Sequence, residues 1–173
     1  GKRAYVRRIN IQGNARTRDE VIRREFRQME AAWFSGEKLK LSRERAQRTG
    51  YFNSVSVETP TVPGSGDEVD INVTVDEKPS GALLAGIGFS QSDGIVLNAS
   101  ISQDNFLGTG KRVSLAAQTS SANQAYQIAY TNPYHTVDGI SRGFNLSYRA
   151  TDFDDLDTAD YKIDTGIIGV NYG

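Results

Sequence analysis

Few residues in this chain could carry out acid–base, nucleophilic or metal chemistry. Among 173 residues there is one histidine and no cysteine. A Ser-His-Asp relay needs an imidazole held beside a hydroxyl, but His135 falls in a turn-like stretch with Pro133 and Tyr134, so neither that relay nor a His-rich metal site is expected. The absence of cysteine excludes thiol catalysis, an iron–sulfur cluster, a Cys-zinc site and a disulfide framework. Gly108-Thr109-Gly110-Lys111 has the ending of a phosphate-binding loop. It lacks the Gly five residues before Gly110, and Arg112 replaces the Ser or Thr that would meet magnesium. Gly86-Ile87-Gly88 has neither the third Gly nor the following helix of a dinucleotide fingerprint. Asp152, Asp154, Asp155, Asp157 and Asp160 could attract calcium, but no Gly stands where an EF-hand loop must turn, and they read as a solvated acidic loop. The expectation is a protein that is not an enzyme and uses no cofactor or metal.

What remains is recognition, and the elements that would support it differ along the chain. Residues 1–80 hold 15 Lys or Arg against 12 Asp or Glu, whereas residues 81–173 hold 5 against 9 and most of the glycine. A charge-rich part followed by a glycine-rich, charge-poor part argues for two units, with a boundary near Lys78-Pro79-Ser80-Gly81; domains of 1–79 and 80–173 are expected. The overall charge of −1 gives no pull toward nucleic acid, and no apolar run approaches the roughly 20 residues of a membrane helix. The chain opens on Gly without a charged-then-apolar leader and reads as a mature fragment or an engineered piece.

The first part reads as strand, helix, helix, strand, strand. Tyr5–Gln12 is rich in β-branched and aromatic residues and ends at Gly13-Asn14. Thr17 and Glu20 have the spacing of a capping box, and Ile22, Phe26, Met29 and Trp33 follow as one helical stripe expected to pack in the core. Arg23, Arg27 and Glu30 would lie along the neighbouring helical face. A second helix is expected over Glu37–Thr49 with Leu39 and Ala46 inward and Gly50 as its stop. Val55 and Val57 in Phe52–Thr59, then Val69, Ile71, Val73 and Val75, alternate as half-buried strands joined by a loop over 60–67. This is an α+β domain, β-α-α-β-β, with its helices on one sheet face.

The second part alternates at period two through six runs of strand length. Leu83, Ala85, Ile87 and Phe89 face away from Gly86, Gly88 and Ser90, with Leu84 breaking the pattern. Similar runs cover 95–103, 112–119, 126–131 and 144–149, and a sixth spans Tyr161–Tyr172, where adjacent Ile167-Ile168 suggest a bulge or register change. Runs of this length fit tilted strands crossing a bilayer, and alternation keeps mean hydropathy low. A soluble β-sandwich also alternates. The polar positions, mostly Ser, Gly, Asn and Gln rather than Lys and Glu, favour antiparallel transmembrane β-barrel strands, with Phe106, Tyr134, Phe153 and Tyr161 near strand ends as an interfacial girdle. Six strands do not close, so a partial barrel is expected, completed by further strands.

Five stretches carry a resemblance: 23–30 (RREFRQME), Gly50-Tyr51-Phe52, Val62-Pro63-Gly64-Ser65, 103–110 (QDNFLGTG) and Thr131-Asn132-Pro133-Tyr134. With the order of elements, the chain resembles the last POTRA domain and first barrel strands of the BamA family of outer-membrane protein assembly factors. The resemblance implies a Gram-negative outer-membrane location with the first domain in the periplasm, and insertion of barrel proteins without nucleotide. It implies three kinds of partner: Bam lipoproteins, unfolded outer-membrane protein clients and outer-membrane lipid. The lipoprotein BamD would meet Arg23, Arg27 and Glu30. Gly81, Leu83, Ala85, Gly86, Ile87, Gly88 and Phe89 would form a lateral-gate strand whose glycines either weaken pairing or relieve crowding inside the barrel. Val55, Ser56, Val57 and Glu58 would offer an edge for β-augmentation by clients. A related POTRA-barrel translocase and a soluble β-sandwich binding module are the alternative readings.

Overall fold

A computed structural model describes residues 3–153 and 161–173; Asp154, Asp155, Asp157 and Asp160 lie outside the described residues. By contact the chain forms two units, Gly1–Ser80 with Leu107–Thr109, and Gly81–Phe106 with Gly110–Gly173.

In the first unit β1 (Tyr5–Gln12), α1 (Asp19–Arg23), α2 (Gly36–Arg48), β2 (Phe52–Glu58) and β3 (Glu68–Glu77) follow in order. β3 is the central strand, parallel to β1 and antiparallel to β2. Ile22, Phe26 and Ala46 from the helical side meet Val6, Ile71 and Val73 from the sheet, all essentially out of water. Burial of the larger of these side chains stabilises the fold by about 1.5–3 kcal/mol each. A register shift between Val6 and Ile9 keeps both in the core and turns Arg7 and Arg8 outward. Arg7 then forms a two-pronged pair with Asp70, at 2.9 and 2.6 Å. The segment Leu107–Thr109 belongs here too: the Arg18 N–H donates to the Gly108 carbonyl, 2.9 Å, and a Cβ at Gly108 would run into the Arg16 carbonyl.

Two expectations for this unit are corrected. The first helix is five residues long, so the predicted stripe leaves the helix after Ile22; Phe26 is still buried, but Met29 and Trp33 are 57% and 56% exposed. The capping box does not form. Arg18 is the N-cap residue without a side-chain hydrogen bond, and Thr17, which is buried, gives its N–H to Glu77 at 2.7 Å. α2 matches its expected position within a residue. The Ser35 hydroxyl accepts the Lys38 N–H at its start, and Gly50 at φ +79° leaves its end.

The second unit is one six-stranded antiparallel meander: β4 (Gly81–Ser90), β5 (Gly94–Gln103), β6 (Arg112–Thr119), β7 (Asn123–Asn132), β8 (Arg142–Asp152) and β9 (Lys162–Tyr172), paired in chain order. Register carries Leu83, Ile101, Leu115, Ile128, Leu146 and Ile168 into one transverse row of one face. The adjacent row on the other face is Leu84, Ser100, Ala116, Gln127, Ser147 and Ile167. Pairing of β8 with β9 runs without a shift, so Ile167-Ile168 mark no bulge; they simply point to opposite faces. Leu84 and Ile167, the large apolar members of the polar row, sit on the first and last strands of the sheet.

No second sheet faces this one among the described residues. The apolar row stays exposed from Leu83 (74%) through Leu115 (44%) to Ile168 (80%), and Ala122 is the one hydrophobic side chain here that is fully buried among the described residues. A sandwich would have put this row in a dry core; that alternative falls.

Candidate functional site

The sheet of the second unit has two ends. Among the described residues β4 pairs with β5 and β9 with β8, which makes them the first and last strands of this sheet. An unpaired strand edge presents a row of N–H and C=O groups that can template another strand. On β4, Leu83, Ile87 and Phe89 are each at least 74% exposed on the apolar face, and Ala85 shares that face. The strand's glycines do two different things. A Cβ at Gly81 would meet the Gln103 carboxamide at 2.5 Å, and one at Gly86 would meet Asn98 at 2.6 Å, so these two make room for a neighbour's side chain. A Cβ at Gly88 would meet nothing within 4 Å. Only Gly88 is therefore left to the pairing-strength explanation. The same Gly-beneath-carboxamide arrangement recurs at the other end, at Gly143 with Asn171 and Gly169 with Asn145.

The turn before β6 is closed on itself by a side-chain hydrogen bond. Asn105 and Leu107 take left-handed φ values of 53° and 51°, and the Gly110 N–H is already donated to the Asn105 side-chain oxygen, 2.8 Å.

In the first unit β2 is a free edge. Its Val55, Ser56, Val57 and Glu58 pair with β3 on one side. Val55 is buried, Val57 is half-buried, and Ser56 and Glu58 are exposed. The opposite edge, on β1, is occupied. The Val6 N–H donates to Ala32, the Ala31 N–H to Val6 and the Phe34 N–H to Ala4, each near 2.9 Å. Trp33 lies edge-on to Tyr5 with ring centres 5.7 Å apart, and the Tyr5 hydroxyl donates to the Ala31 carbonyl.

Of the three residues expected to meet a lipoprotein, two are brought together. Arg23 Nη1 lies 3.2 Å from Glu30 Oε1, and Arg23 Nε donates to Asp19 at 2.8 Å. Those carboxylates, Asp19 foremost, hold the guanidinium pKa above its ordinary value. Arg27 is not part of this cluster: it leaves the helical path and donates to the carbonyls of Arg24 and Phe26. The expected common helical face does not exist, because α1 ends at Arg23.

Two residues that sequence reasoning missed shape this region. Gln28 is buried. Its amide donates to the Met29 and Trp33 carbonyls, 3.1 Å each, and accepts the Ser35 N–H at 2.8 Å. Ser42, fully buried on α2, accepts the N–H groups of Arg27 and Gln28 and donates to the Lys38 carbonyl. A buried Gln and Ser must find hydrogen-bond partners, and here those partners are the backbone of an irregular loop. The result is a stapled, non-helical segment that displays Met29 and Trp33. For Ser42 the signal was present in the sequence, since it is polar at i+3 from Leu39 and i−4 from Ala46, where the inward stripe of the second helix would be apolar; Gln28 lies off the stripe of Ile22, Phe26, Met29 and Trp33 and gave none.

Comparison with known proteins accounts for this combination. Residues 4–78 match the POTRA family, described as surface antigen variable number repeat, and residues 105–173 match the Omp85 superfamily domain. The chain is 40% identical over 172 residues to the outer membrane protein assembly factor BamA of Neisseria meningitidis, covering 98% of this chain and 22% of that protein. It is 36% identical to BamA of Nitratidesulfovibrio vulgaris, covering 90% of this chain and 20% of that one. The crystal structure of BamA from Haemophilus ducreyi lacking POTRA domains 1-3 superimposes with a TM-score of 0.83 at 38% identity, over 96% of this chain and 31% of that one. The chain thus spans about a fifth of the length of the curated relatives it matches. A POTRA domain leading into a one-layer antiparallel sheet with a bare apolar face belongs, on sequence and fold together, to the BamA branch of the Omp85 superfamily.

Proposed function

We propose that this chain supplies a POTRA domain, exposed to the periplasm, and the first barrel strands of an outer-membrane protein assembly factor. In this reading, unfolded barrel clients add as strands to free edges and pass into the lipid at β4, the lateral-gate strand. The observation that carries it is β4 itself: a ten-residue strand, first in the described sheet and paired with β5 along its whole length, with exposed Leu83, Ile87 and Phe89 on one face. Strand addition uses backbone hydrogen bonds, so one edge can accept many client sequences without any catalytic group. The edge of β2 at Val55, Ser56, Val57 and Glu58 would hold clients earlier, in the periplasm. The end of α1 at Arg23 and the following segment with Arg27 and Glu30 would dock a lipoprotein of the assembly complex, BamD, and the exposed apolar face would meet outer-membrane lipid.

The test is site-specific photocrosslinking in the full-length parent protein, in outer-membrane vesicles supplied with a stalled barrel client. A crosslinker at Leu84 or Ile87 on β4, or at Glu58 on β2, is expected to capture the client, whereas one at Ile128 on β7, an interior strand, is not. Equal capture at all four positions would remove the edge from the account. A crosslinker at Trp33 that captured no lipoprotein would remove the docking assignment while leaving the edge intact.

A further inference from the structure

Among the described residues the strands of the meander bring two cations, Arg142 and Lys162, to its apolar face; Arg112 and Arg149 fall on the opposite face. Alternation along β8 places Arg142 on the side of Phe144, Leu146 and Tyr148. Register sets it in a row with Asn132 and Tyr172, next to the row of Tyr130, Phe144 and Val170. At the far end of the same strand pair Lys162 stands opposite Asp152, with its Nζ 3.2 Å from that carboxylate. Arg142 has no ion-pair partner among the described residues, although Asp138 stands in the adjoining turn. Its guanidinium lies over the Phe144 ring, 5.0 Å from the ring centre, and its Nε is buried without a hydrogen-bond partner. Tyr130 stacks on Phe144 from the neighbouring strand, with centres 6.1 Å apart. The flanking side chains bring no negative charge. The Asn132 side-chain oxygen accepts the Tyr134 N–H at 3.1 Å, and Tyr172 meets the edge of His135 at 6.2 Å.

An arginine on the hydrocarbon side of a membrane strand is costly at depth and comes to rest at the headgroup level. Arg142 is placed for that. It is the first residue of β8, at the end of the sheet where the chain enters at Gly81. We infer that Arg142 holds the phosphate of an anionic phospholipid in the periplasmic leaflet, with the acyl chains of that lipid along Tyr130, Phe144 and Val170. The inference rests on the proposed reading of this face as lipid-facing and deepens it by naming the class of lipid. A guanidinium fork matches two phosphate oxygens at once, and the aromatic ring beneath it fixes its plane. A phosphatidylethanolamine carries an ammonium that already balances its phosphate, whereas a phosphatidylglycerol does not. The unmatched charge of Arg142 therefore selects the second.

The test uses the full-length parent protein in phosphatidylcholine vesicles containing a trace of phosphatidylglycerol with a diazirine at the head end of one acyl chain. Labelling is read by mass spectrometry on peptides around Phe144 and Val170, with peptides around Leu115 and Ile128 as controls for folding and for general lipid contact. Unlabelled phosphatidylglycerol is expected to suppress labelling at Phe144 and Val170 about fivefold more strongly than phosphatidylethanolamine at equal mole fraction, the worth of one basic side chain at an anionic surface. Arg142→Gln is expected to abolish that difference with the control peptides unchanged. Arg142→Lys, which keeps the charge, is expected to retain part of it, and Lys162→Gln, at the paired and opposite end, to leave it intact. Equal suppression by the two lipids in wild type, or a difference that survives Arg142→Gln, would overturn the inference. Protection by inorganic phosphate alone would assign the position to a free anion and overturn it as well. If neither Phe144 nor the Leu115 and Ile128 controls are labelled, the face does not meet lipid, and the proposed function fails with it.

Discussion

Gly13 ends β1 at a place that a side chain cannot occupy. Its φ is +89°, and an added Cβ would run into the Val75 carbonyl oxygen of β3, which is backbone and cannot swing away. Gly13→Ala should lower the stability of the first unit by roughly 1–3 kcal/mol, read as a lower urea midpoint. Beyond it, Glu77 gathers the incoming chain by accepting the N–H groups of Arg16 and Thr17 at 2.7–3.2 Å. Burial alone would raise the Glu77 pKa, but hydrogen bonds from Thr17 and Arg16 outweigh it and hold the carboxyl below the usual range. A depressed folded pKa means that this contribution to stability is present above the unfolded Glu value and is lost as pH falls through the folded one. Wild type should therefore lose urea resistance across the acidic carboxylate range, and Glu77→Gln should show a flatter curve there. Neither role was legible in the sequence. Gly13-Asn14 announced a turn, but the carbonyl above Gly13 comes from a strand more than sixty residues away, and Thr17 read as a helix cap because its true partner, Glu77, is equally distant.

At the scale of elements, period two was the dependable signal and period 3.6 the misleading one. The alternation of β3 through Val69, Ile71, Val73 and Val75 and the runs of the second unit reappear as strands within a few residues of their expected limits. Strand alternation is imposed by geometry that each residue satisfies locally. The stripe from Ile22 to Trp33 has helical spacing, yet its segment is helical only to Arg23. Gln28 and Ser42 satisfy the backbone there, and tertiary hydrogen bonds override spacing once a buried polar group needs them. The faces of the meander make a sharp prediction. Leu115→Arg or Ile87→Arg should destabilise the full-length protein in lipid vesicles by about 2–4 kcal/mol if these positions lie near the bilayer midplane, whereas Ala116→Arg, on the polar face, should cost much less. Urea titrations of folding into vesicles would measure all three; equal costs on the two faces would contradict the assignment of lipid to the apolar row.

For the molecule as a whole, the two units are stable for different reasons. The first carries its own core, with Phe26, Ile71 and Val73 enclosed by helices and sheet. A fragment spanning residues 1–80 should unfold in one cooperative transition in aqueous buffer, checked by circular dichroism against urea, and a non-cooperative loss of signal would show that it depends on the rest of the chain. Among its described residues the second unit shows no such core, and its apolar row from Leu83 to Ile168 lies exposed. This contrast was visible in the sequence as a change in charge and glycine, because a solvated α+β domain needs charged surface and a one-layer sheet does not. The occupied edge of β1 was not visible, since it depends on a loop of irregular backbone brought to one strand by residues that spacing had assigned to a helix.

From β4 to β9 the ladders carry no slip. The meander is therefore intolerant of odd arithmetic. Losing a single residue from the middle of β7 would invert everything distal to the lesion, swinging Gln127 into hydrocarbon and Ile128 toward water. Insertions and deletions during divergence should be confined to the connections between strands, while the strands keep their length parity even where their residues change.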